Sequence, residues 1–431
     1  MKLTALAVVV LALGIVVGIA LAGGSSGGPA SAVPQCPGPS ANCATPTPSP
    51  TPAPPPTATL IHTILHPNPA PPNRFGESVA SVGNNVFVGS PGDVNQGAVH
   101  VFDSTTGDFL FTITSPEPLA GAEFGLSIAR VGGNILVSAK SVSQDGVGSV
   151  GRAYLFNGTT GTPLLTFLNP NPIVQGRFGV SVAAVGENIL IGAPGNSVGG
   201  EVGVGSVYLF DGTTGDLLLT IPNPEPERHD NFGQSVAGVG SNIVVGVPQD
   251  DPGAVTAAGS VYTFNGTTGV LLLTIRNPAP ARDNFGFSVA PIGANILIGA
   301  PRDNPSGVQN AGTAYVFDGT TGDLLLTIPN PELGIVDEFG YSVASVDSNI
   351  LVGTPGNQLF DGRNVGSVYL FDGTTGDLIL SIPNPAPGDG DEFGISVAGM
   401  GESIIVGAWA DKPEDSQTVG TAYLFETGGT P

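Results

Sequence analysis

Residues 178–194 read FGVSVAAVGENILIGAP, and variants of this stretch recur through the chain. Each variant begins with the pair Phe-Gly, and successive pairs lie 49 to 54 residues apart. The pairs begin at Phe75, Phe124, Phe178, Phe232, Phe285, Phe339 and Phe393. A nearly constant period of this length is typical of stacked repeats with one continuous core, so we expect seven copies of one unit rather than seven domains.

Each copy contains four short apolar runs separated by turn residues. In the third copy these runs are FGVSVAAV, NILIGAP, GSVYLFD and LLLTI. Runs of this length, bounded by Gly, Asn and Asp, are typical of β-strands, and four in succession favour a four-stranded antiparallel sheet. Seven such sheets predict an all-β fold, a seven-bladed β-propeller with four-stranded blades.

The first run suggests how the blades stack. If it is a strand throughout, Phe178, Val180 and Val182 lie on one face. Gly179 and Ser181 then lie on the other face, which is much smaller. We expect the large face of each blade to press on the small face of its neighbour, with glycine permitting a close backbone approach.

The last copy lacks its fourth strand. It ends at GTAYLFETGGTP, whereas the other copies continue into a run such as LLLTIPNP. The missing run has a match at the other end of the propeller, since residues 59–69 read TLIHTILHPNP. We therefore predict a propeller over 59–426 that is closed by strand 59–65 pairing with the last blade, which leaves no free edge between first and last blades.

The N-terminal segment 1–22 is typical of an export signal. Lys2 precedes an uncharged apolar run over 5–22, and Ala20-Leu21-Ala22 has the small residues of a signal-peptidase site. The run is also just long enough to span a bilayer, so a retained membrane anchor is the alternative. Either outcome predicts a secreted or cell-surface protein.

Residues 23–58 are dominated by Pro, Ser, Thr, Gly and Ala, with no apolar pattern that could form a core. This composition predicts an extended, semi-rigid stalk between the N-terminal segment and the propeller. Both cysteines of the chain, Cys36 and Cys43, lie here. In an oxidising compartment we expect them to form a disulfide, either within the stalk or between two chains.

The chain is strongly acidic. It carries 35 Asp and Glu against 12 Lys and Arg, a formal charge of −23. Such a charge repels phosphate backbones and anionic lipid surfaces, which argues against nucleic acid or an acidic membrane as partner. Cations and basic protein surfaces fit this charge better.

The motif order within one copy resembles a known repeat. Phe-Gly-x-Ser-Val, then Gly-Ala-Pro, then Gly-Ser-Val-Tyr-x-Phe is similar to the FG-GAP repeat, the unit of integrin α-subunit propellers and of many microbial surface proteins. The resemblance implies the propeller fold and a role in extracellular recognition or cell adhesion, without fixing a ligand.

The chain departs from that family in its calcium loops. Family members often carry Asp-x-Asp-x-Asp-Gly between the first and second strands, whereas this chain has VGENI at 185–189 and VGSNI at 239–243. These segments lack a set of calcium ligands. The resemblance therefore implies the fold and the recognition role, and we expect no cofactor and no metal ligands, with a calcium ion held outside the family's loops as the alternative.

A second recurrent turn, DGTTGD, joins the third and fourth runs at 211–216, 318–323 and 372–377. It offers too few ligand oxygens for calcium, and Asp-Gly with following threonines favours a hairpin turn in which Asp accepts backbone N–H groups. Two copies begin with Asn157 and Asn265 instead, which creates Asn-Gly-Thr sequons. In an exported chain these predict N-glycosylation and hence a glycoprotein.

Connection lengths distinguish the two faces of the predicted propeller. The connections from second to third strand, and from fourth strand to the next blade, are long and diverse, while the others are short and nearly constant. Diverse loops on a rigid scaffold are typical of binding surfaces, so we expect recognition on this long-loop face. The candidate ligand contacts are Lys140 and Trp409, which replace Pro of Gly-Ala-Pro, and Arg302 and Asp303.

The histidines and acids give no strong indication of catalysis or metal binding. His62 and His66 have even spacing in the predicted closing strand, which would place them on one face, and His100 replaces a tyrosine of the other copies as a packing residue. No nucleophile with an adjacent base is visible. The acids are spread repetitively, whereas propeller glycosidases and lyases need paired carboxylates in one pocket.

We therefore expect an extracellular recognition or adhesion module that is not an enzyme and that binds a protein or glycan. A propeller enzyme of glycosidase or lyase type is the first alternative. A structural component of a surface layer or sheath is the second, and the oligomeric state is left open.

Overall fold

A computed structural model describes residues 58–70, 72–93, 96–117, 119–358, 362–412 and 419–428. The N-terminal segment 1–22, which we predict to be a hydrophobic helix, lies outside these residues, as do residues 23–57 of the predicted stalk with Cys36 and Cys43. The described chain is all-β apart from two short 3-10 turns, Pro252–Ala254 and Pro305–Gly307. No helix in the described ranges is long and apolar enough to cross a membrane.

Each repeat folds into one four-stranded antiparallel sheet, which is one blade. The strands of blades 1 to 3 are β2 Ser78–Val82, β3 Asn85–Ser90, β4 Ala98–Asp103, β5 Phe109–Thr114; β6 Phe124–Val131, β7 Asn134–Ala139, β8 Arg152–Asn157, β9 Pro163–Leu168; β10 Val182–Val185, β11 Asn188–Ala193, β12 Ser206–Phe210 and β13 Leu217–Pro222. Those of blades 4 to 6 are β14 Ser235–Val239, β15 Asn242–Val247, β16 Ser260–Asn265, β17 Leu271–Arg276; β18 Ser288–Ile292, β19 Asn295–Ala300, β20 Thr313–Phe317, β21 Leu324–Pro329; β22 Ser342–Val346, β23 Asn349–Thr354, β24 Ser367–Phe371 and β25 Leu378–Pro383. Blade 7 comprises β26 Ser396–Met400, β27 Ser403–Ala408, β28 Thr421–Thr427 and β1 Ala58–Leu65.

The first strand of every blade lies innermost. Each innermost strand contacts those of the blades before and after it, and β26 of blade 7 contacts β2 of blade 1. The contacts therefore run once around a closed ring. This confirms the predicted seven-bladed β-propeller with four-stranded blades.

The Phe-Gly pair precedes the innermost strand instead of belonging to it. Gly179 has a φ of 91°, and β10 starts only at Val182. Phe178 and Val182 share one buried cluster, whereas Val180 lines the central channel. The prediction that Val180 shares a face with Phe178 is wrong, because the left-handed glycine turns the chain between them and breaks the two-residue alternation.

This turn brings neighbouring blades together. The glycine carbonyl accepts a hydrogen bond from the serine hydroxyl of the preceding blade's innermost strand, as Gly125 does from Ser78 at 2.7 Å. The same bond joins five further pairs of described residues, Ser181–Gly233, Ser235–Gly286, Ser288–Gly340, Ser342–Gly394 and Ser396–Gly76. A Cβ at Gly89, on the second strand, would lie 2.2 Å from the Gly125 oxygen, so a side chain there has no room.

The ring is closed by the first strand of the propeller. β1 pairs antiparallel with β28, with Leu65 opposite Thr421, and so supplies the outermost strand of blade 7. Ile64 of this strand is 1% exposed and belongs to the cluster that also contains Phe75 of blade 1. Burial of β1 thus ties the last blade to the first.

The variants Ile64→Ala and Leu65→Ala test how strongly this strand holds the ring. We expect Ile64→Ala to lower the free energy of unfolding by about 2–5 kcal/mol, because it opens a cavity in a closed core. Leu65 is 44% exposed, so its truncation serves as the matched control and should cost much less. Equal losses in denaturant titrations would contradict a buried closing strand.

A second polar contact links consecutive blades. In four blades the asparagine of an Asn-Pro turn donates to a buried aspartate just before the next Phe-Gly, as Asn223 does to Asp230 at 2.7 Å. Asp230 is 1% exposed, and burial, with Asp250 nearby, raises its pKa to about 7. The equivalent pairs are Asn277–Asp283, Asn330–Asp337 and Asn384–Asp391.

Asp230 should make the stability of the propeller fall as pH rises. Its folded pKa lies above the unfolded value, so the native state binds the extra proton, and unfolding becomes easier between about pH 4 and pH 7. Asp230→Asn removes this titration, and Asn73 holds the equivalent position in blade 1. We expect the stability of the variant relative to wild type to increase by about 2 kcal/mol from about pH 4.5 to about pH 8. A pH-independent difference in urea titrations would contradict a neutral carboxyl at Asp230.

Candidate functional site

The central channel opens on the long-loop face, where the innermost strands begin. The residue after each Phe-Gly points into it, and the cavity has a volume of about 480 Å³. These residues are Glu77, Leu126, Val180, Gln234, Phe287, Tyr341 and Ile395. We call this opening the channel mouth.

A ring of left-handed residues surrounds the channel mouth. The residue before each Phe-Gly has a φ between 55° and 59°. The seven residues are Arg74, Glu123, Arg177, Asn231, Asn284, Glu338 and Glu392. Asparagine tolerates this conformation, whereas for arginine and glutamate it costs about 1 kcal/mol or more. Five of the seven positions therefore hold a charged side chain against the preference of its backbone, and such strain often marks a functional site.

Arg74 is the centre of a network at the mouth. Its guanidinium donates to Glu123 at 3.4 Å and lies 5.6 Å from the centroid of the Trp409 ring. The Trp409 indole N–H donates to Glu392 at 2.7 Å, and the Lys140 Nζ lies 3.5 Å from Glu123. The network thus runs from blade 7 across blade 1 to blade 2.

Two of the four predicted contact residues meet in this network. Lys140 and Trp409 follow β7 and β27 directly, and both approach Arg74 through the contacts above. Arg302 is exposed further around the mouth. Burial raises the pKa of the nearby Glu338, and the charge of Arg302 opposes this rise. Asp303 instead accepts the Tyr315 hydroxyl at 2.9 Å within blade 5.

The carboxylates at the mouth are partly removed from water. Burial raises the pKa of Glu77, and Arg74 beside it opposes this rise. Burial likewise raises the pKa of Glu392, which the Trp409 N–H opposes. Burial and then these glutamates raise the pKa of Tyr341 to about 12. The mouth therefore holds charges in a medium where electrostatic contacts are stronger than in bulk water.

A smaller cavity of about 350 Å³ adjoins the mouth and is lined by two cations, Lys140 and Arg177. Its other lining residues are Ser141, Ser149, Gln175, Val180 and Gln234, so none of the described residues lining it is acidic. The Arg177 side chain is exposed. We call this cavity the cationic pocket, since it concentrates positive charge in a chain of net charge −23.

The opposite face carries the short turns. Asp211 accepts the N–H groups of Thr213 and Thr214 at 2.8 Å, and these bonds lower its pKa. This confirms the interpretation of DGTTGD as a hairpin turn. Asn157 and Asn265 use their Oδ1 atoms in the same way, so both sequons lie on the face opposite the channel mouth.

Sequence reasoning missed Glu123 and Glu392, the acidic partners in the network. The available signal was the residue before each Phe-Gly, which varies among Arg, Glu and Asn while the Phe-Gly that follows stays constant. That pattern is typical of positions whose backbone placement is constant while the side chain varies. The buried aspartates Asp230, Asp283 and Asp391 recur between blades instead of converging in one pocket.

Comparison with known families supports the motif analysis. The FG-GAP repeat model matches 223–264, 278–317, 336–371 and 387–425. Each match covers the first three strands of one blade, in blades 4 to 7. Four matches to this repeat and a seven-bladed ring are together consistent with an FG-GAP propeller. A comparison with the curated proteins gives no match.

In blades 3 and 4 the connection between the first and second strands, where many FG-GAP repeats carry an acidic loop, is short. Val185 pairs with Asn188 and Val239 with Asn242, so each connection is a two-residue turn. The long connections of the FG-GAP repeats lie on the other face, around the channel mouth. The side chains that differ between blades therefore lie mainly around the channel mouth.

Glu338 allows a test of backbone strain at the mouth. We expect Glu338→Asn to raise the free energy of unfolding by about 0.5–1 kcal/mol, because asparagine adopts the left-handed conformation at lower cost. Glu338→Gln is the matched control, since it removes the charge but keeps an unfavourable side chain for this φ. If both variants change thermal unfolding equally, the gain in stability comes from removing the charge and not from relieving backbone strain.

Proposed function

We propose that this protein is an extracellular recognition or adhesion module, secreted or displayed at the cell surface. It binds a protein or glycan through the long-loop face, at the channel mouth. The observation that carries the proposal is the cationic pocket beside the Arg74–Trp409 contact, in a chain that is otherwise strongly acidic.

The chemistry of this surface selects an acidic group on the ligand. Arg177 and Lys140 both reach the cationic pocket, and a guanidinium binds carboxylate or sulfate through two parallel hydrogen bonds. Trp409 is half-buried and adds an aromatic surface within the same network. The ligand class is therefore a glycan or protein segment that bears carboxylate or sulfate groups.

The net charge does not prevent this contact. At physiological ionic strength, charges beyond about 8 Å are largely screened, so most acids of the chain have little effect at the pocket. Glu123 is close enough to offset part of the Lys140 charge, at 3.5 Å from its Nζ, which leaves the exposed Arg177 as the main cation for a ligand. The acidic ring residues Glu338 and Glu392 then disfavour acidic groups elsewhere around the mouth. The proposed ligand is thus restricted to the side of the mouth near blades 2 and 3.

The remaining sequence features fit export. In this proposal the segment 1–22 is a signal peptide or anchor, and the segment from 23 to the start of β1 is a stalk in which Cys36 and Cys43 form a disulfide within the chain or between two chains. Glycans at Asn157 and Asn265 would leave the long-loop face free, because both residues lie on the short-turn face.

A structural role in a surface layer is the second candidate, and one observation favours it. The outermost strands expose leucines at the rim of the propeller, as Leu217 and Leu218 do at 44% and 46%. Leu271, Leu272, Leu324 and Leu325 repeat the pattern in the next two blades. Self-association that grows with protein concentration in sedimentation experiments would favour this role.

The test of recognition is binding of the purified protein to an array of neutral, carboxylated and sulfated glycans. We expect the double variant Lys140→Ala, Arg177→Ala to weaken binding of the acidic glycans at least about tenfold, because two charge-assisted contacts are lost. Trp409→Ala should weaken the same ligands.

Arg130→Ala is the matched control, because Arg130 is an exposed cation of the opposite face, bonded to the Gly132 carbonyl. It removes one positive charge, as Lys140→Ala or Arg177→Ala alone does, but should leave glycan binding unchanged. Equal losses for Arg130→Ala and for the pocket variants would mean that only net charge matters, which would overturn the proposed site.

A further inference from the structure

A cluster of two histidines and an aspartate lies where the ring closes, outside the channel mouth. The Asp93 carboxylate lies 3.0 Å from the His66 Nε2 and 2.9 Å from the His100 Nε2. One ligand atom from each residue falls within 4.8 Å of the other two. His66 and His100 are 7% and 4% exposed, so both rings lie in the protein interior.

Both histidines are departures from the repeat that meet at one carboxylate. In blades 4 and 7 the position of His100 holds Tyr262 and Tyr423, whose hydroxyls donate to an aspartate. His66 stands where five of the other six copies have the asparagine of Asn-Pro. Replacement of a packed tyrosine explains His100 alone. It does not explain why a second buried histidine, His66, contacts the same aspartate.

We propose that His66, Asp93 and His100 bind a divalent transition-metal ion, with zinc as the reference ion. Two imidazoles and one carboxylate are a donor set that suits zinc and its neighbours over calcium or magnesium. Metal–ligand distances of about 2.0–2.1 Å place tetrahedral ligand atoms roughly 3.3 Å apart. The nitrogen–oxygen distances of 2.9 to 3.2 Å are already close to that separation.

The cavity beside the cluster provides space for a further ligand. It has a volume of about 470 Å³, and Gln96 and Phe109 line it together with the cluster. The Gln96 Oε1 atom is buried and has no hydrogen-bond partner among the described residues. An unpartnered oxygen beside such a donor set fits a fourth ligand, or the acceptor for a metal-bound water.

The outer nitrogens of the two rings differ. His100 Nδ1 lies 2.9 Å from the Thr112 hydroxyl. When Nε2 binds a metal, Nδ1 carries the ring proton and donates a hydrogen bond to this hydroxyl oxygen. His66 Nδ1 accepts the Asn68 N–H at 3.0 Å, and metal binding would place a proton on this nitrogen. The Asn68 contact must therefore open, and since Asn68 is exposed, its N–H can bond to water instead.

The ligands come from both sides of the ring closure. His66 follows β1, which belongs to blade 7, whereas Asp93 and His100 belong to blade 1. A bound metal would therefore link the closing strand to the first blade. Because unfolding separates these ligands, the ion should stabilise the closed ring.

Zinc titration of the full-length protein, by calorimetry and thermal unfolding, tests the proposal. We expect about one zinc per chain and a melting temperature that rises with zinc concentration, since the ion binds only the folded site. Magnesium and calcium should have no such effect. This test is independent of glycan binding at the channel mouth.

The repeat itself supplies the variants. His100→Tyr and His66→Asn install the residues that other copies carry, so both should fold, and each should weaken zinc binding at least about tenfold. His62→Asn is the matched control, because His62 lies on the closing strand but its ring bonds to the Thr105 carbonyl instead of to Asp93. No stoichiometric zinc binding by wild type, or an unchanged zinc response in His100→Tyr, would overturn the proposal.

Discussion

The structure depends on one close approach, between the glycine carbonyl of each Phe-Gly turn and the preceding blade. A side chain at Gly89 would collide with the Gly125 oxygen, and the Ser78 hydroxyl bonds to that same oxygen. Repetition of this contact fixes the spacing between innermost strands. The same turn holds the residue before phenylalanine in a left-handed conformation in all seven copies. Each blade therefore places the side chain before its Phe-Gly at the channel mouth, whether that side chain is acidic, basic or neutral.

The blade count and the closing strand could be predicted because both depend on regular patterns along the chain. The register of the first strand could not, since a left-handed Gly179 is not visible in a pattern of apolar residues. Strict alternation placed Val180 in the core, whereas the turn directs it to the channel. Side-chain direction could thus not be predicted from alternation wherever one residue leaves the β conformation.

The candidate site was predictable only in part for a different reason. Lys140 and Trp409 could be identified because each breaks a repeated motif. Their link through Arg74 could not, since Trp409 and Arg74 are far apart in sequence and meet only when the ring closes. The same holds for the histidines, because even spacing paired His62 with His66, whereas the fold pairs His66 with His100. A closed ring makes neighbours of residues from the two ends of the chain.

Strand β1 also determines how the propeller responds to mechanical load. Ala58 pairs with Thr427 at the short-turn end of blade 7, and Leu65 pairs with Thr421 at the long-loop end. The N-terminal end of β1 therefore lies on the face opposite the channel mouth. A pull applied at Ala58, away from the long-loop face, would run along the axis of β1. The hydrogen bonds of the β1–β28 pair would then share the force in shear instead of opening one after another.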